Sequence, residues 1–237
     1  RDVYKRQQKF FNLNENPMTM GLDLSQTNLI MDKADGSLIS TFVVDGELFV
    51  KSKGSLYSQQ ASDALSWLNR PENEDFKQLL LESALMNLTV NMEWCAPHNR
   101  IVLPYQHEHL QVLNVRDNIT GDLDIDIVSN TFAEYAVKFI EVDNVVHFMN
   151  NVPSMIGVEG VIARVGDIFV KVKTEEYLKL HHCKDNVNNP RRLFEAVVLE
   201  TADDLRGLFT DDPYAIALID AMQEKVSKLY NLSLIHI

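Results

Sequence analysis

The sequence predicts an α+β fold: antiparallel strands with flanking helices, followed by the start of an all-helical piece. Three observations carry that prediction. Short apolar runs rich in Val, Ile, Leu and Phe alternate with Gly-containing turns, as in "NLIMDKADGSLISTFVV" and "MIGVEGVIARVGDIFVKVK". Between them lie two segments with apolar residues at helical spacing. From Glu175 onward the texture is helical throughout.

In chain order, Leu29–Met31 and Leu38–Val44 read as two strands closed into a hairpin by Lys33-Ala34-Asp35-Gly36, because Gly takes positive φ without steric cost. Asp45-Gly46 turns the chain again into "ELFVKSKGS", a third strand that sets Lys51 and Lys53 on one face by the two-residue period. Ser58 to Asn69 reads as a helix from Ala61, Leu65 and Leu68. Glu74 to Asn87 follows from Phe76, Leu79, Leu80 and Ala84. "LTVNMEW", "NRIVLPY" and "HLQVLNVR" read as strands, Asp117 to Gly121 as a turn, and Thr131 to Ile140 as a helix. Gly166-Asp167 closes a second hairpin. A domain boundary is expected near residues 174–177, which gives a mixed domain over 8–176 and a helical one over 177–231. "RDVYKRQ" (1–7) and "LSLIHI" (232–237) fit no periodic pattern. They resemble translated sequencing-adapter remnants, so the chain is expected to be an internal piece of a longer protein.

Composition narrows the class. Of 237 residues 46% are apolar and 24% charged, a globular balance. No apolar run approaches the length of a membrane span, so a cytoplasmic protein that avoids membranes is expected. Cys95 and Cys183 are far apart and neither has a second thiol beside it, which fits a reduced compartment and argues against zinc. The net charge of -12 excludes a general nucleic-acid coat protein but leaves room for a local basic groove.

The strands carry polar residues that a pure core pattern would not want: Lys51, Lys53, Glu93, Glu159, Lys171 and Lys173. Taken singly, alternating lysines mean a solvated strand face, a buried glutamate means a structural pair, and Lys33 is a solubilising turn residue. Together they match a chemistry. A lysine attacks phosphorus only as the neutral amine, which nearby cations and partial desolvation favour. The same cations neutralise charge on a phosphoryl group in flight, and carboxylates hold a divalent metal or a ribose hydroxyl. The constellation points to nucleotidyl transfer through a lysine-linked nucleotide.

With these motifs the chain resembles the ATP-dependent RNA ligase 1 family of T-even phages, within the covalent nucleotidyltransferases. The resemblance runs from about Lys9 to about Tyr230, through "KFFNLNENP", "KADGSLIST", "FVKSKGS", "APHNRIVLPYQ", "VLNVR", "VEGVIA", "FVKVK" and "DDLRGLF". It implies a nucleotidyltransferase (adenylation) domain, ATP and Mg2+ as cofactors, and joining of 5′-phosphate to 3′-hydroxyl ends of single-stranded RNA, cleaved tRNA among them, by a monomer. On the matching positions it makes Lys33 the lysine that takes AMP, with Asp35 and Gly36 completing its motif. Lys9 and Lys53 fall near ATP, and Glu93 on the ribose. Glu159 falls on catalysis and metal, Lys171 and Lys173 on the α-phosphate, Tyr177 on the site wall, and Asp203 on metal. Ala34 stands where a member of the family has an acidic residue, at a position the wider superfamily leaves variable. The family also places a tyrosine and an arginine upstream of Lys9, where this chain is adapter-like; Arg6 is not assigned to that role. Poor self-adenylation with retained sealing of pre-adenylated RNA is therefore expected. The alternative is a non-catalytic nucleotide- or RNA-binding fragment of such a ligase. A DNA ligase or capping enzyme is disfavoured by the family-specific stretches.

Three further clusters read as bystanders. Asp122, Asp124 and Asp126 fit one solvated edge-strand face. His181, His182 and Cys183 lack a partner cluster and read as surface. Trp67 reads as core, and Trp94 as pointing away from the face that carries Glu93.

Overall fold

The computed structural model describes residues 9–235, with side chains described as far as residue 230. The chain divides into two compact units, the first ending at Thr174 and the second beginning at Glu175.

The first unit is built on two sheets. One has β1 (Phe11–Asn12), β2 (Thr27–Asp32), β8 (Gly160–Val165) and β9 (Ile168–Lys173) in the order β1-β9-β8-β2, with β1 parallel to β9 and the rest antiparallel. The other has β3 (Ser37–Val44), β4 (Glu47–Ser52), β5 (Leu88–Cys95), β6 (His109–Asp117) and β7 (Leu123–Asp124), antiparallel in the order β4-β3-β5-β6-β7. Helices α1 (Gln59–Leu68) and α2 (Glu74–Leu85) cover one face of the second sheet. Ser58 caps α1 by accepting from the Ala61 N–H, and Ala61, Ala64 and Leu68 repeat at i, i+3 and i+7 as its buried stripe. Phe76 and Leu80 of α2 join Ile39, Val90, Met92 and Trp94 in the main core. Phe76 stacks on Tyr135 at 4.0 Å, and Trp67 meets Trp94 edge-on at 6.1 Å. Both tryptophans lie where their spacing placed them.

Four sequence expectations fail, each for a tertiary reason. First, β2 and β3 do not pair. β2 pairs with β8 and β3 with β4 and β5, so residues 33–36 form a crossover between sheets rather than a hairpin turn. Second, "NRIVLPY" is not a strand; its backbone N–H groups serve a carboxylate instead, as described below. Third, residues 131–140 are not a helix. Short α3 (Asp126–Asn130) ends before them, residues 131–135 turn, and the chain runs extended between the sheets from Ala136. There it bridges Val112 through Ala136 and Met31 through Phe139. Tyr135 and Phe139 pack on the main core and Ile140 on the core of the first sheet, so burial overrides local helical spacing. Fourth, the three aspartates do not share a strand. Asp124 ends the edge strand β7 and accepts from the Ile127 N–H, while Asp126 opens α3. Helix α4 (Val145–Asn151), which sequence periodicity did not reveal, seals the first sheet with Met149.

The second unit contains α5 (Glu175–Asn188), α6 (Pro190–Val198), α7 (Ala202–Leu208) and α8 (Pro213–Ile235) around Val187, Leu193, Phe209, Ala215 and Ile219. Helix α8 continues through residues 232–235, part of the terminal stretch left out of the periodic reading. At the centre of this unit Lys184 pairs with Asp212, both almost fully buried, and the Lys184 amine lies 5.5 Å from the Phe209 ring centroid. Asp212 also accepts from the Ala215 N–H at 3.0 Å near the start of α8.

Removing one partner of such a pair leaves a buried, uncompensated charge. Asp212→Ala is expected to destabilise the second unit by about 3–5 kcal/mol. The double change Lys184→Met with Asp212→Leu is expected to lose less, because no charge is stranded. Chemical denaturation followed by circular dichroism on both variants checks the order.

Candidate active site

The crossover from Lys33 to Ser37 is held residue by residue. The Lys33 N–H donates to the Gly160 carbonyl at 3.0 Å, extending the β2–β8 ladder. The Asp35 N–H donates to the Tyr105 hydroxyl at 3.0 Å, and the Gly36 N–H to Glu93 Oε1 at 3.1 Å. The Ser37 hydroxyl donates to Asn99 Oδ1 at 3.1 Å. Asp35 is buried, and its Oδ2 accepts from the Val102 and Leu103 N–H groups at 2.8 and 2.7 Å. A buried carboxylate is tolerable when charge-assisted bonds satisfy it. Asp35 thus pins the "NRIVLPY" loop to the crossover and does not line the cavity. Gly36 is required for space, not for positive φ. A Cβ there would sit 2.3 Å from the Trp94 carbonyl oxygen.

With its backbone fixed, Lys33 sets its amine 2.8 Å from Glu159 Oε1, and Lys173 sets its own 2.9 Å from the same oxygen. The Glu159 side chain is only 3% exposed. It lies just before β8 rather than inside it, and its carbonyl accepts from the Thr174 N–H at 3.0 Å. Gly160 makes this possible. It has φ +143°, and a Cβ would meet the Val172 carbonyl oxygen at 2.1 Å. One buried carboxylate therefore bridges two lysines from different strands of the first sheet and its crossover.

In front of this bridge lies a cavity of about 320 Å³ within the first unit. Lys9, Lys33, Lys53 and Lys171 supply cationic lining, and Glu93 and Asp32 acidic lining. Apolar lining comes from Phe10, Met31, Ala34, Leu38, Leu113, Val137 and Ile162, with Asn114 beside Leu113. Burial pushes the Glu93 carboxyl up to about 7, a rise that Lys33 opposes and the Glu159 charge reinforces. Burial, together with the like charges of Lys33 and Lys173, pulls the Lys171 ammonium down. Lys9 lies over the Phe11 ring at 4.4 Å and pairs with Glu15 at 3.5 Å. Cys95 is no nucleophile here: burial pushes its thiol up to about 12.

The structure thus brings together Lys9, Lys33, Lys53, Glu93 and Lys171 around one cavity, with Glu159 and Lys173 joined to it through Lys33. Tyr177 and Asp203 belong to the second unit. Tyr177 is buried with its ring 5.7 Å from that of His181, and Asp203 is exposed in the first turn of α7. The apolar lining escaped the sequence reading. Nothing in the sequence marked Leu113, because its place depends on strand pairing. A bulge falls at Asn91/Met92, so Val112 opposes Met92 and Asn114 opposes Asn91, with Leu113 as the extra residue. Strand neighbours normally point to opposite faces, and the bulge lets Leu113 and Asn114 line the same cavity. Val137 comes from the extended segment that had read as helix.

Among the described residues no group of three or more His, Cys, Asp and Glu side chains could hold a metal alone. The donor set instead fits a hard cation held mainly by phosphate oxygens, with the Asp32 and Glu93 carboxylates in the lining and Glu159 joined to it through Lys33.

Comparison with known proteins gives the family. A family model described as RNA ligase matches residues 2–178, and one described as T4 RNA ligase 1, C-terminal domain, matches residues 184–236. A Thermovibrio ammonificans protein named "Putative RNA ligase" is 26% identical over 231 residues, covering 93% of this chain and 58% of that protein. An Autographa californica nuclear polyhedrosis virus protein named "Putative bifunctional polynucleotide kinase/RNA ligase" is 27% identical over 222 residues, covering 85% and 32%. The chain therefore spans about half or less of the length of these relatives. In fold it is similar to Naegleria gruberi RNA ligase. The pyrophosphate-bound form gives a TM-score of 0.53 at 13% identity over 75% of this chain and 58% of that one. A variant solved with ATP and manganese gives 0.52 at 14% identity over the same shares. The two family models account for nearly every residue described, and the chain belongs to the T4 RNA ligase 1 family of RNA ligases.

Proposed function

We propose that this chain carries the nucleotide-transfer site of an ATP-dependent RNA ligase. The Lys33 Nζ attacks the α-phosphorus of ATP, a P–N bond forms, and the bond to pyrophosphate breaks. AMP then passes from Lys33 to the 5′-phosphate of an RNA end. A 3′-hydroxyl attacks that phosphate and releases AMP as the strand is sealed. The observation that carries this reading is the Glu159 bridge, which holds the Lys33 and Lys173 amines on one oxygen at 2.8 and 2.9 Å beside a nucleotide-sized cavity.

Each residue has a job that follows from its place. Glu159 orients the Lys33 amine and is its nearest proton acceptor. Lys171 and Lys173 offset charge on the phosphoryl group in transfer. Lys171 serves there as a donor whose ammonium is already disfavoured by burial and then by its cationic neighbours. Glu93 accepts from a ribose hydroxyl, and Lys9 and Lys53 meet the outer phosphates. Asp35 and Gly36 act by holding Lys33 in place. A bound magnesium ion would supply charge neutralisation between phosphate oxygens, with Glu159 as its protein carboxylate. Broken single-stranded RNA, cleaved tRNA included, in a cytoplasm is the setting this reading implies, and unpaired ends favour stacking and 2′-hydroxyl contacts over groove reading.

Incubation with α-labelled ATP and magnesium, followed by denaturing electrophoresis, tests the chemistry: an acid-labile covalent label is expected. Lys33→Arg should abolish it, since a guanidinium stays protonated and cannot attack. A label that persists in that variant would place the nucleophile elsewhere. Glu159→Gln keeps the shape but removes the charge that holds both amines. Transfer to and from Lys33 should fall by at least about 100-fold, a general-base-sized loss, in a variant that circular dichroism shows to be folded. A normal rate would return Glu159 to a structural role.

Glu93 gives the nucleotide-free protein a pH dependence. Its carboxyl is raised in the fold, so folding favours the protonated form. That contribution is full below about pH 4.5 and is lost as pH rises through about 7. Glu93→Gln mimics the protonated carboxyl. It should match the native chain near pH 5 and exceed it in stability near pH 8, read as paired denaturation midpoints. The reverse order would refute the burial of Glu93.

A further inference from the structure

Of the stretch "KFFNLNENP", Lys9 and Phe10 line the cavity and the rest does not. The rest builds a loop. β1 lies along β9 with Asn12 in register with Lys171, and the chain then turns back over residues 13–21. The loop is tied at its neck. The Glu15 N–H and the Thr19 hydroxyl both donate to the Asn12 carbonyl, at 3.0 and 2.9 Å, and the Asn14 N–H donates to the Thr19 carbonyl at 2.9 Å. Thr19 is 1% exposed between Met18 and Met20, at 66% and 61%, so the loop closes around it. Asn14 takes φ +62°, a conformation asparagine tolerates better than most residues.

This loop turns the Glu15 side chain back toward β1. Its Oε2 accepts from the Asn12 N–H at 2.6 Å, and its Oε1 lies 3.5 Å from the Lys9 amine. The same amine lies 4.4 Å from the Phe11 ring centroid. The Asn12 N–H first, and then Lys9 and Lys171, hold the Glu15 carboxyl below the usual carboxylate range. Lys9 and Lys171 both line the cavity. Glu159 serves one pair of lysines, Lys33 and Lys173, and Glu15 stands beside another. The Lys9 and Glu15 side chains are 65% and 35% exposed, and an ion pair so open to water adds little to stability. What the loop secures is a position: one carboxylate oxygen is fixed on the backbone, and the other faces a lysine of the cavity wall.

We propose that Glu15 is a positioning residue for the outer phosphates of ATP, holding the Lys9 amine where the pyrophosphate portion of the nucleotide meets it. The inference rests on the reading that the cavity takes a nucleotide. It adds a residue that serves the first transfer step alone, because the AMP passed on to RNA has no outer phosphates.

The test is equilibrium binding to the full chain of AMP and of the α,β-methylene analogue of ATP, which keeps the outer phosphates but cannot transfer its nucleotide. The native chain should bind the analogue at least about tenfold more tightly than AMP, the size of a charge-assisted contact. Glu15→Gln should lower that ratio about threefold, the size of an exposed charge pair, with the affinity for AMP unchanged. Glu15→Asp keeps the charge on a shorter arm and should lower it too. Lys9→Met should lower it about tenfold, and the double variant Lys9→Met with Glu15→Gln should match Lys9→Met alone, since Glu15 acts through Lys9. Loosened folding would weaken AMP as well and would not produce this pattern. Equal affinity of the native chain for the two nucleotides overturns the proposal without any variant. So does an unchanged ratio in a folded Glu15→Gln chain, or a double variant that departs from Lys9→Met. A raised ratio would make Glu15 a competitor of phosphate and overturn it as well. A native chain that binds neither nucleotide would instead overturn the nucleotide reading, and the role of Glu15 with it.

Discussion

The site depends on a single constraint: the chain leaves one sheet and enters the other at Lys33–Gly36. Three of its four residues are bonded to different places in the fold, Lys33 to Gly160, Asp35 to Tyr105 and Gly36 to Glu93. A lysine in a hairpin turn would swing freely in solvent. In this crossover its backbone has no freedom, and its amine falls between the carboxylate that precedes β8 and the wall of the second sheet. Glycines enforce the approach from both sides. Gly36 lets the crossover touch the Trp94 carbonyl, and Gly160 lets the start of β8 touch that of Val172.

Local electrostatics run against the charge of the whole chain. The protein is acidic, yet Lys9, Lys33, Lys53 and Lys171 line one cavity, with Lys173 joined to it through Glu159. Gathering cations in a recessed site is unfavourable without compensation: burial first, and then Lys33 and Lys173, lower the Lys171 ammonium. Glu159 and Glu93 compensate part of it and are differently placed. Glu159 is bonded to two amines, whereas Glu93 holds a backbone N–H and is pushed toward its neutral form. Such an arrangement suits an anionic, polyphosphate ligand, whose charge would complete the balance.

The loop from Ala96 to Tyr105 shows why a motif can be distinctive without being chemical. Its Val102 and Leu103 N–H groups neutralise Asp35, and its Tyr105 hydroxyl supports the Asp35 backbone. These residues hold the crossover while standing outside the cavity. Position in a motif and contact with a ligand are separate properties, and Asp35 has the first by way of the fold.

The sequence by itself determined the strand-and-helix character of the first unit, the helical second unit, and most of the charged residues around the cavity, Asp32 excepted. Those signals are local: two-residue and helical periodicity, turn glycines, and lysines or glutamates where apolar residues belong. It could not determine that residues 33–36 join two sheets, that 136–140 runs extended between them, or that Leu113 turns into the cavity. Each of these depends on which surfaces meet across long sequence separations. Periodicity is blind to that, because a residue's own neighbours look the same whether the next strand pairs with it or with another sheet. The Glu159 bridge between Lys33 and Lys173 is likewise a tertiary event. The residues were legible one by one, but only the packing of β8 against β2 and β9 set two amines on one oxygen.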